Sequence, residues 1–186
     1  MKPPVAIASS FAIAALVLAG TGPAPAQDAP AITFAKSAGA LVATATGGPS
    51  SLLFDYGPSG CGDNKQAPCF VFHAGHALGP KVTASAPADC SVDAEDIATI
   101  NCLASDYSGV VIVKSTDGGV TLGGGTGQAP NCAPVPVSVS AGGTQNVVSW
   151  DGCQRQSITC APKSFVTVEA NAFDGVTGPC KNVTRH

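Results

Sequence analysis

Val135-Pro136-Val137-Ser138-Val139-Ser140 sets an apolar side chain at every second position, with Pro136, Ser138 and Ser140 between the valines. Successive side chains of a strand point to opposite faces, so this stretch reads as a half-buried β-strand with its valines toward a core. Outward from it, short apolar and β-branched runs recur along the chain between Gly, Pro, Ser and Asn turn signals. Strands are predicted at 31–35, 40–46, 52–56, 70–73, 81–84, 110–114, 120–122, 135–140, 147–150, 157–160 and 165–169. Short strands at this spacing predict an all-β domain. The best helix candidate, 93–100, is one or two turns long and too short to set the architecture. Charged residues are only 11% of the chain, against about a quarter in ordinary globular proteins, so long solvated helices are not expected.

The first 26 residues read differently. Met1-Lys2-Pro3-Pro4 carries one positive charge, residues 5–20 carry none, and Ala24-Pro25-Ala26 closes a small-residue segment. That order is the secretory pattern. A spanning helix needs about 20 apolar residues, and Gly20, Gly22 and Pro23 interrupt this run sooner. The reading is a signal peptide over 1–26 and a single β-rich, disulfide-stabilised domain over 27–186, secreted or periplasmic. No later run is long and apolar enough to span a bilayer. Nine basic residues stand against twelve acidic ones for a net charge of −3, without a basic cluster. That argues against nucleic acid or an anionic membrane as partner, and leaves a protein or glycan partner open.

Eight cysteines, Cys61, Cys69, Cys90, Cys102, Cys132, Cys153, Cys160 and Cys180, all follow the leader. An even count in an exported chain reads as a disulfide framework. Metal ligation is the rival, but zinc-ribbon Cys-x-x-Cys spacing is absent. Short loops favour Cys61–Cys69, Cys90–Cys102 and Cys153–Cys160, leaving Cys132–Cys180.

The chain also echoes itself. Ile100-Asn101-Cys102 recurs as Ile158-Thr159-Cys160. Val111, Val113 and Asp117-Gly118 follow the first; Val166, Val168 and Asp174-Gly175 follow the second. Cys132-Ala133-Pro134 with Val137 and Val139 lies between them, and Cys160-Ala161-Pro162 repeats its opening. Recurrence at about 30 residues is how stacked β-units announce themselves. It predicts a disulfide-stapled β-solenoid or β-roll-like stack, with an immunoglobulin-like β-sandwich as the alternative.

This succession of Ile-x-Cys, strand, Gly-rich turn and strand resembles degenerate units of exported bacterial proteins related to the repeats-in-toxin (hemolysin-type) calcium-binding family. It covers roughly Cys90 to Cys180. The resemblance implies a parallel β-roll whose turn carboxylates and carbonyls hold Ca²⁺. Asp117-Gly118-Gly119-Val120-Thr121-Leu122 and Gly142-Gly143-Thr144-Gln145-Asn146-Val147-Val148 are its turns. Asp117, Asn146 and Asp174 are the metal candidates. Both turns depart from the pattern: Thr144 replaces a Gly, Asn146 stands where an Asp belongs, and Asp117 precedes its glycines. Calcium prefers six to eight oxygens, several of them charged, and single acids per turn do not provide them. The strands are therefore expected to persist and the metal sites to be lost, with disulfides taking over the holding.

Other constellations fall short of a reaction. His73-Ala74-Gly75-His76 lacks a third ligand. Gly123-Gly124-Gly125-Thr126-Gly127 leads into Gln128-Ala129-Pro130 rather than into the Lys and helix of a phosphate loop. Gly57-Pro58-Ser59-Gly60 is one residue short of a nucleophile elbow. Asp55, Asp63, Asp151 and Asp174 have no spacing that pairs them as glycosidase acids. Trp150, beside Asp151-Gly152-Cys153, suits a ring packed on a cystine. The reading is an exported, non-enzymatic β-domain of structural or interaction type, with no catalytic residue and no cofactor. A Ca²⁺-binding repeat protein is one alternative; a small secreted hydrolase or an adhesin- or inhibitor-like sandwich is another.

Overall fold

The period-2 runs become strands. The computed structural model describes residues 29–48, 50–58, 67–75, 83–94, 97–123, 133, 135–149 and 156–186. Strands make up 66% of these and none is α-helical, so the chain is all-β. The first seven strands are β1 (Ala31–Ser37), β2 (Ala40–Thr46), β3 (Ser50–Gly57), β4 (Cys69–Gly75), β5 (Thr83–Ser85), β6 (Cys90–Ala94) and β7 (Ile97–Leu103). A single 3-10 turn (Ala104–Asp106) leads to β8 (Gly109–Lys114), β9 (Gly118–Leu122), β10 (Val137–Ala141) and β11 (Thr144–Ser149). The last four are β12 (Ser157–Cys160), β13 (Phe165–Ala170), β14 (Gly175–Thr177) and β15 (Asn182–Arg185). They form two sheets. Sheet one runs β14-β12-β10-β8-β2-β1-β5, and sheet two runs β15-β13-β11-β9-β3-β4-β7-β6.

From β8 onward the chain alternates between the sheets, and each strand pairs in parallel with the strand two places on. β2 and β3 extend this arrangement by pairing in parallel with β8 and β9. Beyond β2 and β3 the pattern changes: β4, β7 and β6 add antiparallel next to β3, while β1 turns back antiparallel on β2 and takes β5 in parallel on its other side. An immunoglobulin-like sandwich is built from antiparallel pairs; among the described residues these occur at one end of the two sheets.

Parallel register brings like residues into rows. Ala43, Ile112, Val139 and Ile158 form one inward row, Leu52, Val120, Val147 and Val168 another, and all eight are at most 2% exposed. One buried cluster takes residues from both sheets. Each such side chain contributes about 1.5–3 kcal/mol as an upper figure. At the antiparallel end the core turns aromatic, with Phe34 edge-on to Phe72 at 4.9 Å and Phe54 at 5.1 Å from Phe72. Gly118 marks the tightest approach: its φ is +123° and a Cβ there would stand 1.8 Å from the Ser50 carbonyl oxygen.

Several sequence expectations change. The segment 93–100, read as a helix, supplies parts of the β6 and β7 hairpin. Ile100 and Cys102 are fully buried on either side of half-buried Asn101, so alternation, not helical spacing, governs this segment. The repeat is also out of phase. β8 and β10 pair, as do β9 and β11, but Val137 and Val139 stand opposite Val110 and Ile112 rather than Val111 and Val113, and Val166 and Val168 lie in sheet two instead of sheet one. The residue opposite Val139 on β12 is Ile158. Strands of both sheets share one alternation, so self-similarity cannot distinguish a full step from a half step.

The disulfides are corrected in the same way. Cys90–Cys102 forms as expected, across two directly opposed residues of the β6–β7 hairpin. Cys160, however, bonds to Cys180 with a Cα–Cα distance of 5.2 Å, so neither Cys153–Cys160 nor Cys132–Cys180 forms. The shortest loop is a poor guide where parallel strands stack: Ser157 faces Gly175, which brings a residue 20 positions on beside Cys160. Cys69 is disulfide-bonded as well. Cys61, Cys132 and Cys153 lie outside the described residues, and with them the expected Cys61–Cys69 bond.

Candidate functional site

The metal candidates are best placed from the turns upward. Sheet one hands over to sheet two through Ser115-Thr116-Asp117, and Lys114 at the end of β8 is completely buried beneath this turn. Its ammonium donates to the Thr116 carbonyl at 2.7 Å, the Asp117 carbonyl at 2.8 Å and the Thr116 hydroxyl at 3.1 Å. Burial pulls the Lys114 pKa down to about 8, against the opposing pull of the Asp117 charge. The Asp117 carboxylate accepts the Thr144 N–H at 2.8 Å, and its carbonyl accepts the Ser50 N–H at 3.1 Å. The Gln145 amide donates to the carbonyls of Lys114 and Gly142. This turn thus ties β3, β9 and β11 together.

Asp174 serves the turn between β13 and β14. Its two oxygens accept the N–H groups of Gln156 at 2.8 Å and Asn171 at 3.0 Å. The Arg185 guanidinium donates to the carbonyls of Asn171 and Asp174. Asn146 lies on the outer face of β11 and accepts the Thr167 hydroxyl. The three candidates therefore sit in three separate places, and each carboxylate stitches backbone. Among the described residues no three His, Cys, Asp or Glu side chains come together as a metal-holding group.

The other candidates are also dispersed. His73 on β4 shares a hydrogen bond of 3.1 Å with Thr99, and Asp55 accepts the N–H of Tyr56. The Tyr107 hydroxyl donates to Asp89 at 2.7 Å; burial first, then that carboxylate, push the phenol well above its ordinary pKa. His76, Asp63, Trp150, Asp151 and residues 124–127 lie outside the described residues.

What the registers do assemble is a face. Across sheet one, Ser85, Thr33, Thr44, Val113, Ser140, Thr159 and Thr177 stand side by side, one from each strand. Six carry a hydroxyl on Cβ, and the seventh, valine, has the shape of threonine. Thr159 and Thr177 hydrogen-bond through their hydroxyls at 3.0 Å. Five of the seven are exposed, and Thr44 and Val113 are half-buried. The neighbouring outward row is Ala35, Val42, Val111, Ser138, Ser157 and Gly175. Neither row carries a charge or an aromatic ring.

Sheet two is mixed. Asp55 and Glu169 point outward from its strands, beside an uncharged row of Ser51, Gly119, Asn146, Thr167 and Asn182. Near its end lies a shallow depression of about 280 Å³, lined by Thr144, Asn146, Phe165, Thr167, Lys181 and Asn182 among others. Phe165 is 59% exposed, with the Lys181 ammonium 5.3 Å above its ring. Alternation within each strand was visible in the sequence; which strands would lie side by side was not. The triplets Ser138-Val139-Ser140, Ser157-Ile158-Thr159 and Gly175-Val176-Thr177, each an apolar centre between small outward residues, were the signal for the row.

No protein-family model matches the chain, and neither does any curated protein or solved structure.

Proposed function

We propose that this chain is an exported, non-enzymatic interaction module, a degenerate and disulfide-stapled β-roll-like stack that binds through the broad outer face of sheet one. The observation that carries the reading is the in-register row of small side chains crossing all seven strands of that sheet, six of them hydroxylated. A β-strand held on both sides by backbone hydrogen bonds and anchored by buried residues presents its outward groups with little conformational freedom left to lose, and binding by such a surface avoids the usual ordering cost. The resemblance to repeats-in-toxin-like rolls belongs to this proposal and rests on the sequence pattern; strands alternate between the two sheets from β8 onward. Two disulfides among the described residues, and no described helix long and apolar enough to cross a membrane, are compatible with a periplasmic or secreted location.

Adsorption to flat, uncharged solids tests the reading: microcrystalline cellulose, chitin and ice, each offered to the wild-type chain, Thr159→Tyr and Glu169→Tyr. Thr159→Tyr raises a ring within the row, on the second strand from one end of sheet one, while Glu169→Tyr raises one on sheet two. The expected result is adsorption to at least one solid that Thr159→Tyr abolishes and Glu169→Tyr preserves. Adsorption indifferent to Thr159→Tyr would remove sheet one as the binding face.

A further inference from the structure

Resting on the reading of sheet one as the binding face, we infer that its ligand is the ordered water lattice of an ice surface. Three properties of the face lead there. The first is its grid. Strands lie about 4.8 Å apart and a two-residue step covers about 6.7 Å, so the two outward rows mark out a rectangular array, close in both directions to the oxygen repeats on a prism face of ice. The principal row crosses seven strands, or about 29 Å at that strand spacing. A flexible loop could not hold such a repeat; a hydrogen-bonded sheet with Ile112, Val139 and Ile158 buried beneath it does.

The second property is charge. A charged side chain holds its own hydration shell and disrupts a neighbouring lattice, whereas a serine or threonine hydroxyl both donates and accepts one bond in place of a water. The threonine methyl groups and Val113 fill the spaces between hydroxyls without competing for hydrogen bonds. The outward rows of sheet one meet these requirements, whereas the outer face of sheet two is interrupted by the carboxylates of Asp55 and Glu169. The partner that complements an uncharged hydroxyl array is itself uncharged and hydroxyl-like.

The third property excludes rivals. The outward rows offer none of the Trp, Tyr or Arg anchors that dominate protein interfaces, and their hydroxyls would be left without partners in a dry contact with a second copy. A polysaccharide offers hydroxyls too, but these rows hold no aromatic ring for a sugar to stack on and no amide or carboxylate to grip its hydroxyl pairs. Ice needs neither.

The test measures thermal hysteresis and inhibition of ice recrystallisation with the full, oxidised chain. The wild type is expected to shape and arrest ice crystals. Thr159→Tyr and Ser140→Tyr, with melting temperatures checked, are expected to lower the activity roughly tenfold or more because they destroy a preorganised plane. Glu169→Tyr should leave it intact. Val113→Thr, which completes the row of hydroxyls at constant shape, should raise it. A wild type no more active than serum albumin overturns the ice assignment. In that case adsorption to cellulose or chitin that Thr159→Tyr abolishes would keep the face and replace its ligand, whereas adsorption indifferent to that substitution would overturn both. Wild-type ice activity undiminished in Thr159→Tyr and Ser140→Tyr also overturns the assignment to this face.

Discussion

Replacing Lys114 by methionine isolates the buried ammonium beneath the β8–β9 turn. Methionine retains most of the stem's volume and removes only the charge and its three hydrogen bonds, which use all the donors the group has. Hydrogen bonds to a charged group contribute about 1.5–3 kcal/mol each at best, but two effects reduce the loss. The charge is desolvated, as its lowered pKa shows, so deleting it also removes that penalty. The freed oxygens of Thr116 and Asp117 belong to a turn whose neighbouring residues are exposed, so water can reach them. The expected net destabilisation is about 1–3 kcal/mol, against at most about 0.5 kcal/mol for the exposed Lys163→Met control. The sign with pH is a sharper test. Lys114 titrates at about 8 in the folded chain instead of 10.5, so between these values the unfolded chain binds more protons and stability rises with pH. Below about pH 8 both states are protonated and the group contributes no slope. Urea denaturation of the oxidised protein at pH 7 and 9.5 should therefore show the wild type gaining stability relative to Lys114→Met at the higher pH. A methionine variant as stable as wild type at pH 7, or one that keeps the same pH response, would refute this account of the turn.

Three further outcomes follow from the turns and crosslinks. Cys160→Ser with Cys180→Ser should destabilise the chain by about 3 kcal/mol, the loop-closure value for a separation near 20 residues, and hydrogen exchange should show β14 and β15 losing protection first; peptide mapping of the wild type that pairs Cys160 with another cysteine would contradict the structure. Gly118→Ala places a Cβ against the Ser50 carbonyl at a positive φ and should cost about 3 kcal/mol or prevent folding, whereas Gly175→Ala, whose Cβ would lie 3.7 Å from the Gln156 carbonyl, should be tolerated, as read by expression and urea midpoint. Because the carboxylates of Asp117 and Asp174 accept backbone N–H groups, millimolar Ca²⁺ should shift the melting temperature by no more than about 1 °C relative to EDTA; a rise of several degrees would mean a ligand that stabilises the folded state.

The all-β class was legible because period 2 is written into each strand separately. Ala40–Thr46 and Ser157–Cys160 agree with the predicted bounds to the residue. β14 and β15 escaped notice, being short and at the open end of the stack, where Val176 is only partly buried and Val183 is 45% exposed; a strand with little to bury carries little pattern. The Cys160–Cys180 bond and the hydroxyl row were hidden for a different reason. Both depend on which strands are neighbours, and steps between paired residues vary along the stack: Val139 lies 27 residues beyond Ile112, but Ile158 only 19 beyond Val139. A fixed period could not find them. Lys114 was hidden too, since a lysine at the end of a strand ordinarily points its charge into water.

The unequal treatment of the two outer faces is not something that folding requires. The core needs only the inward rows, and threonine, valine, lysine or glutamate would all be accommodated on an exposed strand position at a difference of about 1 kcal/mol or less. Solubility favours charges there, spread over every broad surface. Sheet two follows that rule with Asp55 and Glu169, so the chain's low charge content does not by itself explain a seven-strand face with none in its outward rows. Small, branched, hydroxylated side chains at the same register position on strand after strand are what a rigid surface needs if its neighbour is a repeating uncharged solid. The substitutions Thr159→Tyr and Val113→Thr bear on this directly, because neither should disturb the buried rows and each changes the plane in an opposite sense.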